Sequence, residues 1–258
     1  MGKHFKEKSK ILRNNIRTIL MLIVFSILLI ISSVEIIKWY KNNKENEKIQ
    51  EEISNAITIQ EIEKDDEQQE NVLKYKIDFE KLKQKNKDTV GWLKVEGTDV
   101  EYVVVQSTNN KYYLDRNFEQ KFNSAGWIYA DYKNKLDGTD KNIVIYGHNR
   151  RDGSMFGSLK NILKEDWYSK EEKRKVLFIT ENEEAIYEVF SVYKIEVEDY
   201  YIKTGFKNKE FLKFIKTIKG RSINDFDVKV TEDDSILTLS TCANDNKYRI
   251  VLHAKKIK

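Results

Sequence analysis

The sequence predicts a mainly β protein with helical insertions, its core a β-barrel, preceded by an N-terminal transmembrane helix. Residues 18–34, TILMLIVFSILLIISSV, are uncharged and mostly apolar. That run sits near the lower length that crosses a bilayer, roughly 17 to 20 residues. From Trp92 onward, short runs rich in Val, Ile, Leu and aromatic residues recur at 92–95, 100–106, 126–130, 142–146, 175–179, 185–197, 226–230, 235–239 and 248–254. Few segments between them have helical spacing, whereas a parallel α/β sheet needs a crossover helix between most strands.

Composition bounds the rest. The chain has 258 residues, 40% apolar and 34% charged, enough for one sizeable domain plus appendages. Its 46 basic and 42 acidic side chains leave a net charge of +4. No basic patch interleaved with aromatics stands out, so no nucleic-acid partner is expected. A single cysteine excludes an internal disulfide. No cofactor or metal is expected either.

Residues 1–17 carry Lys3, Lys6, Lys8, Lys10, Arg13 and Arg17 against Glu7 alone. The positive-inside rule therefore makes them a cytoplasmic basic tail and puts the rest of the chain outside. The span is 18–40, with Trp39 and Tyr40 suited to the membrane interface. A cleaved signal peptide is the competing reading; its apolar core is usually shorter, and no convincing small-x-small site occurs around Ser32-Ser33. Residues 41–71, rich in Lys, Glu, Asn and Gln with isolated isoleucines, read as a charged linker or stalk. Residues 72–258 form the extracellular domain.

Within that domain Leu73, Ile77, Phe79 and Leu82 have the spacing of a helix ending near Asn86. Strands at 92–95 and 100–106 flank a turn at Glu96-Gly97-Thr98. Residues 112–118 read as a short helical turn or loop, and 126–130 as a strand before the turn at Asp137-Gly138. The continuous apolar strand 142–146 runs into Gly147-His148-Asn149. After Ser154, a helix presents Phe156, Leu159, Ile162 and Leu163; a second short helix covers 165–173. Strands 175–179 and 185–197 pair around Glu181-Asn182-Glu183. Phe206, Phe211, Leu212, Phe214, Ile215 and Ile218 recur near helical spacing and mark a helix at 208–220, followed by a strand at 226–230. The last two strands flank a polar turn at 243–247.

That last hairpin carries the chemistry. Cys242, the lone thiol, stands at a strand end, and Arg249 lies near the start of the returning strand. The pair suits a nucleophile and an oxyanion stabiliser. The base comes from three histidines. His4 is in the tail. His253 lies four strand residues beyond Arg249, about 13 Å along the sheet. His148 ends a strand before a loop, where sites tend to be built. No third orienting residue is evident; Asn149 and Asn244 are nearest. Singly, a lone Cys is usually a small buried hydrophobe and a strand Arg a surface partner.

Together the motifs resemble the sortases, and specifically their class B. Tyr146-Gly147-His148-Asn149, Thr238-Leu239-Ser240-Thr241-Cys242 and Tyr248-Arg249-Ile250-Val251-Leu252-His253-Ala254 match that family. The neighbourhoods Tyr112-Tyr113-Leu114-Asp115 and Met155-Phe156-Gly157-Ser158-Leu159 are also similar. The likeness covers about 78–258. It implies an eight-stranded sortase β-barrel and a catalytic set of Cys242 as nucleophile, His148 as general acid/base and Arg249 as oxyanion or substrate stabiliser. Asn149, Ser240 and Thr241 beside them are candidate substrate contacts.

The implied activity is transpeptidation at a Gram-positive cell surface. A thioester forms at a C-terminal sorting motif of a secreted protein and is resolved by an amine of peptidoglycan or its lipid-linked precursor. Two departures are visible: the family often carries a proline at the position of Val103, and the loop from Cys242 to Arg249 is short for class B. The rival functions are a membrane-anchored cysteine peptidase and a non-catalytic extracellular binding module.

Overall fold

Ile143-Val144-Ile145 and Ile236-Leu237 are buried at consecutive positions, a pattern that requires strands covered on both faces. They are the middle of the fold. The computed structural model describes residues 2–62, 72–207, 209–242 and 247–258. Residues 1–45 and 46–258 form two separate units.

In the second unit, eight strands close a barrel among the described residues. After a separate two-stranded pair, β1 (Ile57–Ile62) and β2 (Val72–Ile77), they are β3 (Thr89–Val95), β4 (Glu101–Val105), β5 (Tyr129–Ala130), β6 (Asn142–Gly147), β7 (Lys175–Ile179), β8 (Glu184–Glu196), β9 (Ile236–Cys242) and β10 (Tyr248–Lys256). Their order around the barrel is β10-β8-β7-β3-β4-β5-β6-β9. Only β4–β5 and β6–β9 are parallel pairs. The expected mainly β barrel with helical insertions is therefore present. The insertion at 208–220 appears as a helix at Glu210–Gly220, with Phe211, Phe214, Ile215 and Ile218 buried one helical face apart. The insertions at 154–173 are shorter than their apolar spacing suggests: a 3₁₀ turn at Gly157–Leu163, a single α-turn at Glu165–Tyr168 and another 3₁₀ turn at Glu171–Lys173.

Three expectations are corrected. Val72–Ile77, read as helical, is a strand that pairs antiparallel with Ile57–Ile62, and the helix begins only at Phe79. The apolar spacing there fits both periods, and the partner strand lies too far back to be read locally. Asp78 starts the helix by accepting the amide of Lys81 at 2.9 Å. Residues 226–230 form no strand, because Asp227 takes a left-handed φ of 55° that breaks an extended run. Phe226 and Val228 are nonetheless buried.

The charged segment 41–71 is not wholly a solvated stalk. One helix runs from Gly2 to Ser54, and its end belongs to the barrel unit. There Asn46, Ile49 and Ile53 are buried, Asn123 Nδ2 donates to Asn46 Oδ1 at 3.0 Å and Gln50 Nε2 donates to the carbonyl of Glu101. The isoleucines sit four apart, on one face of the helix. Residues 63–71 lie outside the described residues. In the first unit the same helix carries a stretch long and apolar enough to cross a membrane, none of it buried.

Candidate active site

Strand order sets three chain segments side by side at one rim of the barrel. β9 lies between β6 and β10, parallel to the first and antiparallel to the second. The β6–β9 register pairs Gly147 with Thr241, so His148 and Cys242 follow at the same end. The β9–β10 register pairs Cys242 with Arg249. Neighbouring strands lie about 4.8 Å apart, so the three backbones fall within roughly 10 Å of one another. The turn at 243–246, Asn244 included, lies outside the described residues.

A cavity of about 260 Å³ opens at this rim. Leu114, Trp127, Tyr129, Tyr146, His148, Tyr201, Ser240, Thr241 and Arg249 are among its lining residues. His148 is half-buried, and its Nε2 stands 2.8 Å from the carbonyl oxygen of Leu114. A carbonyl only accepts, so Nε2 carries the proton in this contact. Leu114 ends a 3₁₀ turn at Tyr112–Leu114, which is held in place by the Trp127 amide donating to Tyr113 O at 3.0 Å.

Gly126, in a left-handed conformation with φ 62°, passes directly beneath this contact. A Cβ there would come within 2.9 Å of His148 Cδ2 and 2.8 Å of Leu114 O. Only glycine gives the ring this room without backbone strain.

Arg249 is half-buried at the cavity wall, with Nη1 donating to the carbonyl of Tyr248 at 3.0 Å. Ser240 and Thr241 are buried at its floor; the Ser240 hydroxyl bonds that of Tyr201 at 3.1 Å. Asn149 bridges to Met155 and is not among the lining residues.

His253 is elsewhere in function as well as in place. It pairs with Thr238 on β9 and is fully buried between Phe190, Tyr193 and Phe214. Thr238 gives its hydroxyl proton to Asn142 Oδ1 at 2.7 Å, so it accepts from His253 Nδ1 at 2.9 Å. His253 Nε2 then accepts from the Tyr193 hydroxyl at 2.8 Å. Burial, helped by the charge of Arg221, pushes its pKa down to about 3. A ring so held is a neutral structural group.

Sequence reasoning missed the Leu114 carbonyl, the need for Gly126 and the wall formed by Tyr201. The first two involve a main-chain atom and an absent side chain, which no motif encodes. Among the described residues no group of three or more His, Cys, Asp or Glu is placed to hold a metal ion.

The chain as a whole is similar to known proteins. A protein-family model described as Sortase domain matches residues 93–257. Sortase B of Staphylococcus aureus is 39% identical over 186 residues, covering 70% of this chain and 75% of that protein. The structure of sortase B from Bacillus anthracis in complex with AAEK1 matches with a TM-score of 0.71 at 33% identity, covering 86% of this chain and 99% of that one. The Staphylococcus aureus sortase B–substrate complex matches with a TM-score of 0.66 at 38% identity, covering 70% and 85%.

Proposed function

Since the chain belongs to the class B sortases and is a sortase-type cysteine transpeptidase, we propose that Cys242, His148 and Arg249 carry its reaction. The Cys242 thiolate attacks the scissile carbonyl carbon of a sorting motif near the C-terminus of a secreted protein. The carbonyl electron pair moves to oxygen, where the planar, always-charged guanidinium of Arg249 donates hydrogen bonds. Collapse expels the amine of the following residue, which takes a proton from His148, and leaves a thioester on Cys242. An amine of peptidoglycan or its lipid-linked precursor then attacks the thioester carbon. It gives a proton to His148 and expels the thiolate, so one amide is exchanged for another.

The observation that supports this reading is the strand register, which sets Cys242 opposite Arg249 and ends β6 at the residue before His148. Ser240 and Thr241 at the cavity floor are the proposed substrate contacts beside it. Asn149, off the lining, acts at most through the loop that follows His148.

The apolar stretch of the first helix supports a single-pass anchor at 18–40, with residues 1–17 cytoplasmic and the barrel outside the cell membrane. The anchor would keep the enzyme where secreted chains and wall precursors both pass.

The test uses the full chain with a randomised library of quenched C-terminal peptides and triglycine as the amine. The expected result is a peptide adduct on Cys242 by mass and a peptide–triglycine product that grows with amine concentration. Cys242→Ala shows neither. Formation of hydrolysed acid alone at every triglycine concentration would make the protein a cysteine peptidase instead. Turnover retained by Cys242→Ala would remove the nucleophile assignment.

A further inference from the structure

We propose that Asp131, a residue outside the cavity, is a positioning residue: it fixes the ring of Tyr146 as the rigid wall against which the sorting peptide lies. The inference rests on the transpeptidase site above and extends it to a residue that site does not include.

Asp131 is 3% exposed, and its carboxylate accepts from neutral donors. An isolated buried carboxylate is costly unless donors surround it. Here three converge. The Lys133 amide donates to Oδ1 at 2.9 Å, and Asn110 Nδ2 and the Tyr146 hydroxyl each donate to Oδ2 at 2.8 Å. Only an acceptor at both oxygens satisfies all three; an asparagine would turn an NH₂ toward one of the donors.

The Lys133 amide is local and closes the turn after β5, whereas Asn110 comes from a segment 21 residues earlier in the chain. Asn110 is itself fixed, since its Oδ1 accepts the Tyr132 amide at 3.0 Å. The third donor reaches in from the site. Tyr146 lines the cavity two residues before His148 and is only partly buried. Its ring packs on Tyr129, its register partner across β5–β6, with centroids 5.2 Å apart and planes inclined by 31°.

The ring is thus held on one side by a neighbouring ring and at its far end by a charge-assisted bond. Without that bond the ring keeps its packing on Tyr129 but loses the anchor at its far end. Burial, with the Asp131 charge beside it, pushes the Tyr146 phenol well above its ordinary pKa, so the donor proton persists at all working pH values.

The test is a double-mutant cycle of Asp131→Asn and Tyr146→Phe, assayed with the fastest peptide from the library above and triglycine. Tyr146→Phe keeps the ring and removes only the tether. Each single variant is expected to raise KM about fivefold with kcat within about twofold, and the double variant to match either single, the mark of residues that act as a unit. Effects that multiply in the double variant, or a loss confined to kcat, overturn the proposal. If Asp131→Asn does not fold, the KM of Tyr146→Phe decides alone.

If the wild type turns over no peptide, the transpeptidase reading fails separately. Ring flipping of Tyr146, followed by NMR on tyrosine-labelled protein, then decides the tether: faster flips in Tyr146's ring on Asp131→Asn support it, and unchanged flips overturn it.

Discussion

His148 Nε2 and the carbonyl oxygen of Leu114 meet at 2.8 Å only because residue 126 has no side chain. The contact holds the proposed acid in one orientation and one tautomer before any substrate arrives. Gly126→Ala tests this. The new methyl would press on Tyr113 O, Leu114 O and the imidazole together. A left-handed alanine also costs about 1–2 kcal/mol. Melting should therefore fall by a few degrees, while kcat falls at least about tenfold, because sub-ångström misplacement of a catalytic group is expensive. A variant with lowered melting temperature but wild-type kcat would show that the contact has no part in turnover.

Arg249 faces Cys242 across the β9–β10 register, so its proposed task depends on the shape of its head group as well as its charge. Removing one oxyanion donor commonly costs about 10²–10³ in kcat, and Arg249→Ala should lose on that order. Arg249→Lys keeps the charge but not the planar fork, and should stay at least about tenfold below the wild type. Steady-state kinetics with the library peptide read both. Full activity in Arg249→Lys would reduce the residue to a source of positive potential.

The sequence was most legible where burial is continuous. Ile143-Val144-Ile145 and the run into Cys242 read as central strands because nothing else accommodates unbroken apolar residues bounded by polar turns. Those two strand ends supply the candidates His148 and Cys242, and the start of the returning strand supplies Arg249. Elements defined by a distant partner were less legible. Leu73 and Ile77 suit a helix as well as a strand, and only pairing with residues 57–62 decides between them. Ile49 and Ile53 looked isolated among charges, yet they fill a hydrophobic face in the folded unit. Around the site, the Leu114 carbonyl meets His148 and the Asp131 carboxylate meets Tyr146 across 34 and 15 residues of chain, distances over which local patterns say nothing.

His253 makes stability depend on pH. Its folded pKa of about 3 lies below the ordinary value of 6.5, so between those values the unfolded chain binds the extra proton. Its contribution is complete above pH 6.5 and is lost as pH falls toward 3, with a slope of up to about 1.4 kcal/mol per pH unit. His253→Gln retains polar atoms at the position but cannot titrate. In denaturant melts from pH 7 to pH 4, the stability gap between wild type and variant should shrink steadily as pH falls. Parallel curves would mean that His253 is not neutral in the folded core.

The boundary of the folded unit offers a last test, because the helix turns from Asn46 onward bury Ile49 and Ile53 at 5% and 1% exposure. A chain beginning at Asn46 retains these contacts, the Asn46–Asn123 bond and the Glu52–Lys85 ion pair; a chain beginning at residue 72 loses all of them together with the strand at Ile57–Ile62. Fully burying an isoleucine contributes about 1.5–3 kcal/mol, so the two alone predict a loss of about 3–6 kcal/mol in the shorter chain. Chemical denaturation of both chains measures it directly. The ion pair, about 40% exposed at Glu52, adds little to that difference. Equal stability would mean that residues 46–71 are the solvated stalk their charge pattern suggests, and that the buried isoleucines do nothing for the barrel.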